Sequence, residues 1–179
     1  MSSPAWIKGL KELSKRTVAG TDFDKLWVEL TTERNDRGAA LIGATLVESV
    51  LRRTIRKQLV SLNETENDSL FGRDAPLSSF SDLIRIGYAL GLFDQRIRRD
   101  LDRLREIRNA FAHALFPLDF NTPEISHACM GFETDTQVYN DLAESMNIAR
   151  RKYLTIVGRS INALNRIPEW SHEPVTYED

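Results

Sequence analysis

A single cysteine, Cys129, rules out an internal disulfide and fits a reducing compartment. It cannot hold zinc alone, and the three histidines, His113, His127 and His172, have no metal-ligand spacing among themselves. No metal and no cofactor is therefore expected. No apolar run approaches the roughly 18 residues that suggest a membrane helix, and residues Met1 to Lys8 hold no apolar core of signal-peptide length. These absences lead to the expectation of a cytoplasmic protein with no membrane partner. Charge of one sign is also lacking, since 24 Lys and Arg against 26 Asp and Glu leave a net charge of −2. The molecule as a whole is then no electrostatic nucleic-acid binder, and any such contact would have to come from a local patch. There is no βαβ alternation, no sustained period-2 strand, no internal repeat and no phosphate-loop motif.

What is present is helical periodicity in a chain of 179 residues, 41% apolar and 28% charged, enough for one domain with a proper core. Residues 1–20 read as an N-terminal extension in which Trp6, Ile7, Leu10 and Leu13 have the spacing of a short helix. Phe23, Leu26, Trp27 and Leu30 recur at offsets 3, 4 and 7, the amphipathic signature. Asn35 or Asp36 caps a longer segment expected to run to about Leu62, with Ala40, Ala44, Val47, Leu51 and Ile55 as its stripe. Its breadth of apolar character marks it as the central helix, and Gly38, Ala39, Ala40, Gly43 and Ala44 would admit a neighbour closely. Residues 63–77 read as a long loop anchored by Leu70-Phe71. Ser78 or Ser79 opens a helix that stops at Gly91, and Asp94 caps the next, with Pro117 closing it. Thr122-Pro123-Glu124 starts a short helix through about Met130, and a last helix is expected from about Val138 to Arg166. The fold class is all-α, a helical bundle of four to six main helices over residues 21–168, followed by an acidic tail at 169–179.

The informative stretch is Leu101 to His113. Leu101, Leu104, Phe111 and Leu115, at offsets 3, 10 and 14, share one apolar stripe, and Arg108 falls inside it. A guanidinium on a core face is costly unless it is paired or lines a cleft. Asn109 and His113 are four apart and stack on a neighbouring face, whereas Arg108 and His113 lie about 140° apart around the helix. They act together only if the arginine reaches round, the helix end deforms or a second chain joins the faces.

Together Arg108, Asn109 and His113 would suit metal-independent chemistry on a phosphodiester: imidazole for proton transfer, guanidinium for the developing phosphate charge, amide for orientation. The plainer reading, favoured by bare spacing, pairs Arg108 with a carboxylate of the central helix, Glu48 being the candidate, and leaves His113 at a helix end that favours it. Basic clusters at Arg52-Arg53/Arg56-Lys57, Arg96 to Arg108 and Arg150-Arg151-Lys152 read as salt-bridged faces, because acids interleave at helical spacing in the second and no aromatics interleave with any. Ser79 to Arg99 has the outline of a helix-turn-helix, but its first helix is too apolar to lie across DNA.

Asp36-Arg37-Gly38-Ala39-Ala40-Leu41-Ile42-Gly43-Ala44, Leu70-Phe71-Gly72, Pro76 to Ser81, Tyr88 to Leu92 and Ile107 to His113 together resemble the mannitol operon repressor (MltR) family over residues 23–130. That resemblance implies an all-helical bacterial transcriptional regulator, typically dimeric, without a recognisable DNA-binding motif, and so one acting through a protein partner. The string Arg108-Asn109-x-x-x-His113 also resembles the R-x(4–6)-H signature of HEPN domains, helical dimers of which many are ribonucleases in toxin–antitoxin systems. There the motif lies at a dimer-interface cleft, which would pool Arg108 and His113 from two chains. The expected partners are a second copy of the chain, a regulator or antitoxin protein and, under the ribonuclease reading, RNA.

Overall fold

The computed structural model describes residues 20–32, 35–133 and 146–170, with Leu13 as one further position. Seven helices are described and no strand: α1 (Gly20–Thr32), α2 (Asp36–Lys57), α3 (Glu64–Phe71), α4 (Phe80–Ala89), α5 (Gln95–His113), α6 (Pro123–Met130) and α7 (Ile148–Asn165). This is the expected all-α bundle. Most of the proposed N-terminal helix, the tail beyond Trp170 and residues 134–145, including the start foreseen for the last helix, lie outside the described residues.

α2 is the central helix, packed against α1, α4, α5 and α7. Asn35 starts it, its side chain accepting from the backbone N–H groups of Arg37 and Gly38 at 2.9 and 3.2 Å. The small residues do bring α7 close. A Cβ on Gly43 would lie 3.1 Å from Val157 Cγ2 and 3.2 Å from Tyr153 Cε1. Tyr153 is fully buried, and its hydroxyl donates to the Ala40 carbonyl at 2.6 Å, satisfying a polar group that burial would otherwise penalise. Phe120 stacks obliquely between Phe111 and Tyr153, 5.3 Å from each, joining α5 to α7 through an aromatic row.

Three expected boundaries move. α2 ends at Lys57 rather than near Leu62, because buried Gln58 turns its amide to the C-terminal segment, donating to Pro168 O at 2.8 Å and accepting from Trp170 N at 3.1 Å. The loop foreseen at 63–77 contains α3, because Asn63 and Glu66 form a reciprocal capping box. α7 begins at Ile148, not within a helix running from Val138, because Asn147 lies outside helical geometry and its side chain accepts from Ala149 N and Arg150 N. Gly91, at φ 69°, forms the expected stop: Leu92 N–H reaches Gly87 O at 3.0 Å and Gly91 N–H reaches Tyr88 O at 2.9 Å, a Schellman closure. Among the described residues no helix is long and apolar enough to cross a membrane.

Candidate functional site

α5 carries the Arg108–His113 stretch from the core to the surface. Asp94 caps its first turn, and Leu101, Leu104, Ile107 and Phe111 form its buried stripe. Leu115 is not part of that stripe. The helix stops at His113, and Leu115 is fully exposed at 103%. With Ile107 as the buried neighbour, Arg108 sits at the edge of the core rather than inside it, its side chain 27% exposed.

There Arg108 Nη2 meets Glu48 Oε2 of α2 at 2.9 Å, while its Nη1 donates to Asn109 Oδ1 at 3.1 Å. Glu48, 21% exposed, also faces Arg52 one turn on at 3.6 Å. Arg52 is itself a staple. Its guanidinium donates to Phe71 O, Leu77 O and Ser78 O at 3.3, 3.0 and 2.7 Å, fastening the segment between α3 and α4 onto α2. One carboxylate therefore holds two arginines: Arg52 gives its other Nη donors to three carbonyls, and Arg108 gives Nη1 to Asn109. This arrangement offsets the cost of a half-buried guanidinium and locks α5 to α2.

His113 has a different environment. It is exposed at the last position of α5, and among the described residues no hydrogen bond or ion pair joins it to Arg108. A single chain thus supplies the two side chains on separate contacts, one committed to α2 and one in solvent. The helix end that presents His113 is set by Arg37, which sequence reading passed over. Its guanidinium donates to Phe111 O at 2.6 Å, Ala114 O at 3.0 Å and Phe116 O at 3.0 Å, satisfying carbonyls left open where the helix stops. Leu115 and Phe116 (62% exposed) follow as an apolar tip on that clamped backbone.

Beside Arg37, Asp36 accepts from Phe120 N at 2.8 Å and from Arg150 Nη1 at 2.7 Å. Arg150 belonged to a presumed surface cluster, yet its side chain is 9% exposed. The only signal for this pair was the position of Asp36 in a first helical turn. Most of the other cluster cations are also drawn inward or paired. Arg103 donates to Gly131 O and lies over the Phe132 ring, Lys152 donates to Phe132 O at 3.2 Å, and Arg98 covers Tyr88. Asp102 faces both Arg98 and Arg105 at 3.9 Å. The helix-turn-helix outline dissolves into the core: α4 buries Phe80, Leu83, Ile84 and Gly87, and α5 is the second core helix. Cys129 is buried, which pushes its thiol up to about 12, against the pull of Arg103 and Lys152, so it stays a neutral packing group. His127 is exposed on α6, and His172 lies outside the described residues. No group of three His, Cys, Asp or Glu side chains is assembled among the described residues.

No protein-family model matches the chain, and no curated protein sequence does. In structure the chain is similar to a possible transcriptional regulator, YggD, from Shigella flexneri 2a str. 2457T. The match has a TM-score of 0.62 at 15% identity and covers 85% of this chain and 100% of that one. A likeness at that identity establishes a shared fold.

Proposed function

We propose that this chain is a cytoplasmic transcriptional regulator of the mannitol-repressor type, acting as a dimer through protein contacts. The reading rests chiefly on the fold it shares with a protein described as a possible transcriptional regulator, along the whole of that chain. It is supported by the strings that resemble the mannitol repressor family and by the internal use of cations that a DNA reader would hold outward. Arg52, Arg103, Arg108 and Arg150 all donate to protein acceptors. The Leu115–Phe116 tip, clamped by Arg37, is the surface assigned to contact with another chain, since large apolar anchors on a pre-organised backbone cost little ordering entropy on binding.

The test is transcript profiling of a strain lacking the gene, complemented by wild type or by Phe116→Glu. A restricted set of transcripts should change on deletion, return with wild type and fail to return with the folded tip variant. An unchanged transcript profile on deletion would refute the reading.

A HEPN-type ribonuclease is the second reading, supported by the exposure of His113 and the partial exposure of Arg108 beside it on α5. Under it, two chains would bring Arg108, Asn109 and His113 to one cleft. Purified protein in EDTA should then cut single-stranded RNA to 2′,3′-cyclic phosphate ends, and His113→Ala and Arg108→Ala should both abolish cleavage. Equal inertness of wild type and variants removes this reading and leaves the first.

A further inference from the structure

Away from the Arg108 motif, a cleft of about 210 Å³ opens between the first turns of α5 and the C-terminal half of α7. Its lining combines Arg96, Asp100 and Ile97 of α5 with Ile156, Arg159 and Ser160 of α7. The volume lies below the roughly 300 Å³ at which drug-sized pockets begin, so the site suits a small molecule.

Two arginines are pre-positioned there by one acceptor. Arg96 Nη2 donates to Glu133 O at 2.8 Å, and Arg159 Nη1 donates to the same oxygen at 3.2 Å. The two donating nitrogens are therefore no more than 6.0 Å apart, the two bonds laid end to end. Arg96 Nε faces the Glu133 carboxylate at 3.4 Å. Among the described residues Nη1 of Arg96 and Nε and Nη2 of Arg159 keep their hydrogens without a partner, as does the Ser160 hydroxyl. Two guanidinium groups that share one acceptor and each keep spare N–H donors have the donor chemistry that pairs with phosphoryl oxygens.

The acidic groups decide the rest of the ligand. Asp94 is engaged as the N-cap of α5, its Oδ1 accepting from Ile97 N at 2.9 Å. Asp100 accepts no hydrogen bond from the described residues, although burial and the neighbouring Glu133 both raise its pKa against Arg103, Arg96 and Arg159. Those three arginines repel an ammonium group from Asp100, while a neutral hydroxyl meets no such barrier and supplies the missing donor.

We propose that this cleft binds a small organic phosphate, a monoester carrying a free hydroxyl, with Arg96 and Arg159 on the phosphoryl oxygens, Ser160 beside them and Asp100 accepting from the hydroxyl. Ile97 and Ile156 form the apolar floor under the carbon chain. The site stands independently of the regulator reading, since it shares no residue with the α5 tip.

The full chain should be titrated at constant ionic strength with glycerol 3-phosphate, inorganic phosphate and glycerol, followed by calorimetry. Glycerol 3-phosphate should bind saturably with Kd on the order of 1 mM, inorganic phosphate several-fold more weakly, and glycerol not at all. Arg96→Gln and Arg159→Gln should each weaken the ester about tenfold, and Arg159→Lys, which keeps the charge and loses the fork, by a smaller factor. Asp100→Asn should retain phosphate binding and erase the preference for the ester over inorganic phosphate. Thermal melts confirm that each variant is folded, and Arg99→Gln, an exposed neighbour outside the lining, should bind as wild type. Absence of saturation at tens of millimolar ester overturns the proposal. So does an equal loss in Arg99→Gln, which would mark mere surface screening, or an unchanged affinity in both Arg159 variants.

Discussion

Removing Glu48 should uncouple α5 from α2 to a measurable degree, and the expected size follows from burial. Arg108 and Glu48 meet at 2.9 Å with side chains 27% and 21% exposed, between the surface and buried regimes. Exposed ion pairs contribute roughly 0.2–1 kcal/mol, whereas breaking a fully buried one costs about 3–5 kcal/mol because a charge is left without water or partner. Here about a quarter of each side chain remains wetted, so solvent recovers part of that loss. Glu48→Ala should therefore cost about 2 kcal/mol, including its weaker contact with Arg52 at 3.6 Å. Arg108→Ala should cost about 1.5 kcal/mol and the double variant about 2.5 kcal/mol, so the coupling energy is about 1 kcal/mol. Urea unfolding followed by far-UV circular dichroism, with a common slope for all four proteins, supplies these differences. Independent sites add to within roughly 0.3–0.5 kcal/mol. A coupling inside that scatter would refute the claim that Arg108 works through Glu48 and return the arginine to the candidates for a reaction.

Asp36→Ala should be the more damaging change, about 3 kcal/mol by the same urea assay, because it withdraws the carboxylate from the deeply buried Arg150 and from Phe120 N–H. Asp36→Ala with Arg150→Met should recover most of that loss, and no recovery would contradict a charge-burial origin. Gly43→Ala should lower stability by about 1–3 kcal/mol, since the new methyl meets Val157 and Tyr153 at 3.1 and 3.2 Å in a packed interface. A thermal melt unchanged from wild type would show that α7 can withdraw. Burial raises the Asp100 pKa in the folded state above its ordinary 3.8, so the native protein holds this proton more tightly than the unfolded chain. Asp100 therefore favours folding while protonated, and that contribution is lost as pH rises from the unfolded value through the folded one. Asp100→Asn should flatten this part of the stability–pH curve and gain on wild type at neutral pH, and identical curves would refute the desolvation argument.

Local chemistry decided the helices. Caps at Asn35, Ser79 and Asp94, the Gly91 stop and the Thr122-Pro123 start were legible because each acts within four or five residues of itself. The central place of α2 followed from its breadth of apolar residues, and the close approach of α7 from glycine and alanine at 38–44. Where local reading failed, a distant group had intervened or a short signal had been outweighed. Gln58 ends α2 through residues more than a hundred positions away, and Arg37 closes the far end of α5 through three carbonyls. The capping box at Asn63 and Glu66 was present in the sequence but hidden by the polarity of its surroundings.

For the site, sequence alone determined that one helix carries Arg108 on one face and Asn109 with His113 on another, since that follows from the pitch of an α-helix. Only the tertiary structure decided that Arg108 turns to Glu48 while His113 stands in solvent, and that Arg150 is buried against Asp36. It also decided that Arg96 and Arg159, 63 positions apart in the chain, grip one carbonyl oxygen. Helical spacing could nominate Glu48 for Arg108 but not decide it, because a charge has no periodicity that settles its partner. Its energy depends on distance and on water, and both are set only when the helices pack.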